Sequence, residues 1–291
     1  MNRRPAHPAR HVRHAFSMIE LLVVIAIIAL LIGLLAPGLG SARRSAQTAR
    51  CMANQRQLIT AWTLYADDHA ERVMPLAYTN TGQQTSEGDN IFWWGADGAT
   101  SGQPDHASGF LAPYLGTHRH DADVFECPAQ PRGSYASQGA FDDPDALTST
   151  YGYNGYYLSP EHTPGWNRRI GWRPWRKAFE IQRPSELFVF ADTLILFGGS
   201  PRSTALLDPP ALYQRAGRWR ENPAPTTAFR HNAAPGPNAT AVTARADGAM
   251  IPAPSDLDAT LEPALGIGSA SATNAPHYVP DWQRWAHALV R

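Results

Sequence analysis

Cysteine is scarce in this chain, with Cys51 and Cys127 the two among 291 residues. So few exclude a disulfide-dense scaffold and a four-cysteine zinc site. Net charge is missing too, since 25 basic residues balance 25 acidic ones. Neither a nucleic-acid partner nor a polybasic membrane patch is expected. Glycine and proline (23 and 25) are too few for a low-complexity chain, and 43% hydrophobic residues are too many for a disordered one. The length allows one large domain or two small ones. No internal repeat is present, nor a nucleophile elbow, a phosphate-binding glycine loop, an HExxH run or a catalytic carboxylate pair. The expectation is therefore a protein that is not an enzyme.

What is present is uneven. Arg3, Arg4, Arg10 and Arg13 stand in the first 15 residues without an acid, leaving 21 basic against 25 acidic residues, a formal −4, in the remainder. From Leu21 to Ala36 follows LLVVIAIIALLIGLLA, with no charged side chain. Counted from Phe16, the stretch would span about 32 Å as a helix, enough for a bilayer core. The basic leader ahead of it predicts a cytoplasmic N-terminus and an exported remainder. Glu20 sits at the edge of the run, where a carboxylate is costly without a partner.

Ala15-Phe16-Ser17-Met18-Ile19-Glu20 and the run after it resemble the cleavage and methylation segment of type IV pilins and type II secretion pseudopilins. The resemblance implies cleavage between Ala15 and Phe16 by a prepilin peptidase and N-methylation of Phe16. It also implies pairing of Glu20 with the terminal amine of a neighbouring subunit in a filament, and a helix kink at Pro37. The family usually has glycine before the cut, where this chain has Ala15. A buried acid becomes tolerable once it meets an ammonium, so the physics agrees with the resemblance. The implied partners are the peptidase, other pseudopilins and inner-membrane lipid.

Beyond Gly40 the pattern turns amphipathic. Cys51, Gln55, Leu58, Trp62, Tyr65 and His69 recur at four- and three-residue steps, with Ile59 and Ala66 beside them. A helix from about Phe16 to about His69 is predicted, bent near Pro37-Gly38. From about Glu71 the helical period ends. Predicted strands are 91–94, 150–157, 187–191, 227–230, 239–245 and 249–251, with Asp247-Gly248 as a hairpin turn. A short closing helix is expected over 281–290. The fold class expected is α+β: a long N-terminal membrane and stalk helix packed on a loop-rich antiparallel β-sheet head, pilin-like. The divisions are a leader (1–15), a transmembrane part (16–36), an amphipathic continuation (37–69) and a globular head (70–291).

The head has a second resemblance. Tyr65-Ala66-Asp67-Asp68, Val124-Phe125-Glu126-Cys127-Pro128, Ser149-Thr150-Tyr151-Gly152-Tyr153-Asn154, Arg230-His231-Asn232 and Asp247-Gly248 occur in that order. They resemble bacterial pseudopilin-like proteins that carry a His, nine-residue spacer, Asp-Gly signature. Here 15 residues separate His231 from Asp247, and the signature is read as structural. The resemblance also places cysteines at positions 51 and 127. In an exported head they would form a disulfide worth roughly 4 kcal/mol on the chain-entropy model. Two independent buried thiols are the other reading, and neither cysteine has a histidine or second cysteine at ligand spacing.

His118 and His120, flanked by Arg119 and Asp121, form either an exposed polar loop or a metal pair. No resident metal is expected. Calcium, which major secretion pseudopilins hold in a head loop, has weak candidates in Asp67, Asp68, Asp89 and Asp97. Trp93 and Trp94, in loop-like sequence, either plug a loop-rich core or stack on sugar rings. The leading function is a filament subunit of a type II secretion or type IV pilus-like system. The alternative is a membrane-anchored surface protein whose tryptophan-rich head binds polysaccharide or an exported substrate.

Overall fold

The computed structural model describes residues 17–78, 90–96, 104–116, 122–130, 134–135, 149–160, 163, 175–214, 217–235, 238–256 and 260–287. The side chains of 35–37, 122–123, 260–261 and 286–287 fall outside that description. A long N-terminal helix followed by antiparallel sheets makes the class α+β, as expected.

The helix, α1, runs Met18–Asp68 over 51 residues. Ser17 and Glu20 form a reciprocal cap at its start. The Ser17 N–H donates to Glu20 Oε2 at 3.0 Å, and the Ile19 N–H to Ser17 Oγ at 3.3 Å. At its end, Ala70 and Glu71 adopt φ of 54° and 64°, and the Glu71 N–H reaches back to the Ala66 carbonyl at 2.9 Å. That left-handed turn stops the helix where the sequence period also stops.

The chain divides into two compact units, 1–43 and 44–291. In the first, the large apolar side chains from Met18 to Leu34 are exposed. Among the described residues no single helix is long and apolar enough to cross a membrane. Met18–Leu34 and Gly38–Asp68 meet the requirement together as a bent pair, by length and composition. Pro37, where the kink was expected, lies between them, and its side chain is outside the described ones.

In the second unit, α1 buries Cys51, Gln55, Leu58, Ile59, Trp62, Tyr65 and Ala66, and leaves Arg44, Arg50 and Arg56 exposed. This is the face that the four- and three-residue steps predicted. His69, expected on it, is exposed but stacks on Tyr65 with ring centroids 3.8 Å apart. Trp62 Nε1 donates to the Tyr153 hydroxyl at 3.2 Å, which in turn donates to the Met74 carbonyl at 2.7 Å.

Two short strands, β1 (Ala77–Tyr78) and β2 (Ile91–Phe92), pair antiparallel, and a four-residue helix α2 (Ala112–Leu115) follows. The expected strand 150–157 is β3 (Tyr151–Tyr153) followed by a helical turn, α3 (Gly155–Leu158). Aromatic β-propensity loses there to a cap. Asn154 Oδ1 accepts the Tyr157 N–H at 3.3 Å, while Nδ2 donates to the Phe188 and Tyr278 carbonyls. Next come β4 (Phe188–Asp192), buried throughout, the hairpin of β5 (Ile195–Phe197) with β6 (Ser200–Arg202), and the hairpin of β7 (Ala211–Gln214) with β8 (Arg218–Glu221). The Gly198-Gly199 turn joining β5 to β6 takes φ of 60° and 82°. These last four strands were not expected.

The remaining strands are β9 (Thr227–Ala228), β10 (Thr240–Arg245), β11 (Met250–Pro254), β12 (Thr260–Glu262) and β13 (Ile267–Gly268). The main sheet has the order β11-β10-β4-β3, all antiparallel, and a smaller one the order β12-β13-β9. Pro252 and Pro254 lie in the edge strand β11, where a missing N–H is tolerated. The Asp247-Gly248 turn forms as expected, with Gly248 at φ 85° and Asp247 Oδ1 accepting the Ala249 N–H at 3.0 Å. The closing segment is a 3-10 helix, Trp282–His287, whose Trp285 stacks on Tyr156.

Gly152 in β3 is flanked closely by the Thr193 side chain and the Leu206 backbone. A Cβ there would meet Thr193 Cγ2 at 2.4 Å and the Leu206 carbonyl carbon and oxygen at 2.6 Å. Gly152→Ala is expected to destabilise the head by about 1–3 kcal/mol, read from the shift of its denaturant midpoint.

Candidate functional site

Four separate segments deliver a thiol, a second thiol, a carboxylate and an imidazole to one point beneath α1. Cys51 comes from the buried face of α1, Cys127 from the loop before β3, Asp192 from the end of β4 and His231 from the loop between β9 and β10. All four are buried. One ligand atom from each lies within 4.8 Å of the others, the one such grouping among the described residues. His231 Nε2 is 3.2 Å from Asp192 Oδ2 and 3.2 Å from Cys127 Sγ. Cys51 Sγ is 3.6 and 3.8 Å from the two Asp192 oxygens.

Backbone pairing fixes these positions. His231 exchanges both backbone hydrogen bonds with Thr240 at the start of β10. The Val242 N–H donates to Asp192 Oδ2 at 2.7 Å, so β10 and β4 clamp the carboxylate between them. On the far side of the ring, His231 Nδ1 lies 3.3 Å from Thr48 Oγ1, whose proton goes to the Arg44 carbonyl at 3.0 Å. The threonine hydroxyl is thereby spent as a donor, so Nδ1 carries a proton and donates to it. Around Cys51, the Tyr151 hydroxyl lies at 3.5 Å and Gln55 Nε2 at 3.9 Å.

Charges are concentrated here. Burial would lower the His231 imidazole, but the Asp192 carboxylate beside it and the hydrogen bonds it makes hold it up at about 10. Burial would raise the Asp192 carboxyl, yet His231, Arg230 and the Val242 N–H keep it below the usual carboxylate value. Burial pushes the Cys51 thiol well up, with Cys127 and Asp192 adding to the effect. At Cys127 burial is outweighed by hydrogen bonding with Cys51 and His231 and by the charge of Arg230, and the thiol falls to about 7. Arg230 is itself buried, donating to the Thr193 carbonyl at 2.7 Å and to Gln130 Oε1.

Cysteine, histidine and aspartate together suggest a nucleophile with its base, but the geometry is wrong for that. In such a relay the thiol and the carboxylate occupy opposite ring nitrogens. Here both crowd Nε2, and Nδ1 faces a threonine. The cluster is also buried, with Cys51, Cys127 and Asp192 each 0% exposed.

The expected disulfide is not formed. Both cysteines are free thiols, and each sulfur is instead engaged by the polar groups of the cluster. The reading that neither has a histidine or second cysteine at ligand spacing holds along the chain and fails in space. His231 of the expected signature joins the cluster. Asp247 and Gly248 do not, because they turn the opposite end of β10 from the one His231 pairs with. Asp192 had no local pattern to mark it, standing just beyond the predicted strand 187–191.

Trp93 and Trp94 are buried, which removes them as a ligand surface. A loop-rich head has few regular layers, and large rings fill the gaps. Trp93 packs on Phe125 and Phe190 and donates to the Ala205 carbonyl at 3.1 Å, while Trp94 stacks on Phe92. Asp67 and Asp68 are exposed at the end of α1, and Asp68 Oδ2 accepts from the Tyr114 hydroxyl at 3.0 Å. Ala15, Phe16, His118, His120, Asp89 and Asp97 lie outside the described residues, and Glu20 is exposed in the first turn of α1.

The model for the prokaryotic N-terminal methylation motif matches residues 10–36. The match is consistent with a prepilin- or pseudopilin-type N-terminus and supports a pilin-like precursor at that coarse level. Such a motif implies processing by a prepilin peptidase, assembly with pilin-like subunits and anchoring through the N-terminal helix. No curated protein and no solved structure matches the chain.

Proposed function

We propose that the chain is the precursor of a structural subunit in a type II secretion or type IV pilus-like filament. Prepilin peptidase cuts between Ala15 and Phe16 and the new terminus is methylated. The apolar helix then holds the subunit in the inner membrane, with the N-terminus cytoplasmic and the head exported. The observation that carries this reading is the methylation motif over residues 10–36 leading into a helix whose apolar side chains are exposed from Met18 to Leu34. Such a surface needs lipid or other helices to cover it. Glu20 is the acid among them, and in lipid it calls for a cation. The amine of a neighbouring subunit's Phe16 supplies one. The binding-protein alternative loses the support of Trp93 and Trp94, which are buried in the core.

Mass spectrometry of the N-terminal peptide from chain purified out of native membranes tests the proposal. The expected species begins with N-methyl-Phe16. A chain still beginning at Met1 would overturn processing and leave a static anchor.

A further inference from the structure

We propose that Cys51, Cys127, Asp192 and His231 form a structural zinc site that clasps α1 to the sheet of the head. Zinc bonds of about 2.3 Å to sulfur and 2.0–2.2 Å to nitrogen and oxygen, at tetrahedral angles, give ligand-to-ligand edges of about 3.3–3.8 Å. The edges here are 3.2 Å from Nε2 to Oδ2, 3.2 Å from Nε2 to the Cys127 sulfur, and 3.8 Å from the same Oδ2 to the Cys51 sulfur. Sulfur and oxygen converging on a single ring nitrogen are the edges of a tetrahedron, and they are awkward for a hydrogen-bond relay. Two thiolates, an imidazole and a carboxylate suit Zn2+ among common divalent ions. Four protein ligands with no solvent access describe a structural centre and not a catalytic one.

The surroundings fit as well. Thr48 holds Nδ1–H and so presents Nε2 to the ion, the outer partner that metal-bound histidines generally have. The Val242 N–H orients the carboxylate. Two thiolates and a carboxylate exceed the charge of Zn2+ by one, and the buried Arg230 beside them restores neutrality. Zinc binding releases the protons of both thiols and of Nε2. The ion would do the work expected of a disulfide, joining the stalk to the head, while leaving both sulfurs reduced.

The test uses the full-length chain, extracted from membranes into detergent without chelator, with metal measured by mass spectrometry and sulfur by thiol titration after denaturation. The expected result is one zinc per chain and two thiols. Exchange for Co2+ should give the thiolate charge-transfer bands of a tetrahedral site. His231→Ala is expected to reduce zinc to background, and Thr48→Val to weaken binding about 10–100-fold. Should His231→Ala fail to fold, X-ray absorption on the unaltered chain must show two sulfur and two nitrogen or oxygen neighbours. Chain without zinc, whether bridged between Cys51 and Cys127 or carrying two free thiols, overturns the proposal. So does zinc that survives in folded His231→Ala.

Discussion

Asp192→Ala is expected to lower the unfolding free energy of the head by about 3–5 kcal/mol, the usual cost of removing one partner from a buried ion pair. Asp192 is 0% exposed, pairs with His231 at 3.2 Å and accepts the Val242 N–H at 2.7 Å. In the metal-free cluster its loss strands the His231 imidazolium and removes a negative charge that Arg230 attracts; with or without metal it orphans a backbone donor between β4 and β10. Asp192→Asn, which keeps an acceptor for Val242, is expected to cost less than the alanine variant. Denaturant unfolding of the detergent-solubilised chain, followed by tryptophan fluorescence, measures both, with Trp93 packed on Phe190 two residues away on β4. An unchanged midpoint in Asp192→Ala would mean that the cluster contributes nothing to the fold.

Glu20→Ala is expected to reduce incorporation into filaments on the order of a hundredfold in competition with the unaltered chain. Within a lipid-facing bundle the change leaves the neighbour's terminal ammonium unpaired, a cost of about 3 kcal/mol. Glu20→Gln is expected to behave alike, since it lacks the charge. Quantifying both subunits in sheared or pelleted filaments gives the ratio. The head should keep its unfolding midpoint, because Glu20 lies in the unit 1–43 and the head in the unit 44–291. Equal incorporation of variant and unaltered chain would remove Glu20 from the assembly contact.

Periodic elements were legible because a single repeat carried them. The buried face of α1 follows from side chains stepping every three and four residues, and the β10–β11 hairpin from Asp247-Gly248. Short irregular elements were not legible. The run Tyr151-Gly152-Tyr153-Asn154-Gly155-Tyr156-Tyr157 reads as continuous strand from aromatic content. Asn154 ends the strand by capping a helical turn, using carbonyls of Phe188 and Tyr278 that lie far along the chain. The β5–β6 hairpin had a cue in Gly198-Gly199, but its strands are only three residues each. Trp93 and Trp94 were ambiguous for another reason: a ring in loop-like sequence looks the same whether it faces solvent or core.

By itself the sequence determined the methylation motif, the apolar helix and the amphipathic stripe that meets the head, because each is written in neighbouring residues. The thiol, carboxylate and imidazole cluster was decided by tertiary structure alone. Cys51 and Asp192 stand 141 positions apart, and Cys127 and His231 stand 104 apart. No local spacing encodes that meeting. It arises from the pairing of β10 with β4 and of His231 with Thr240, and from the burial of one face of α1 against them.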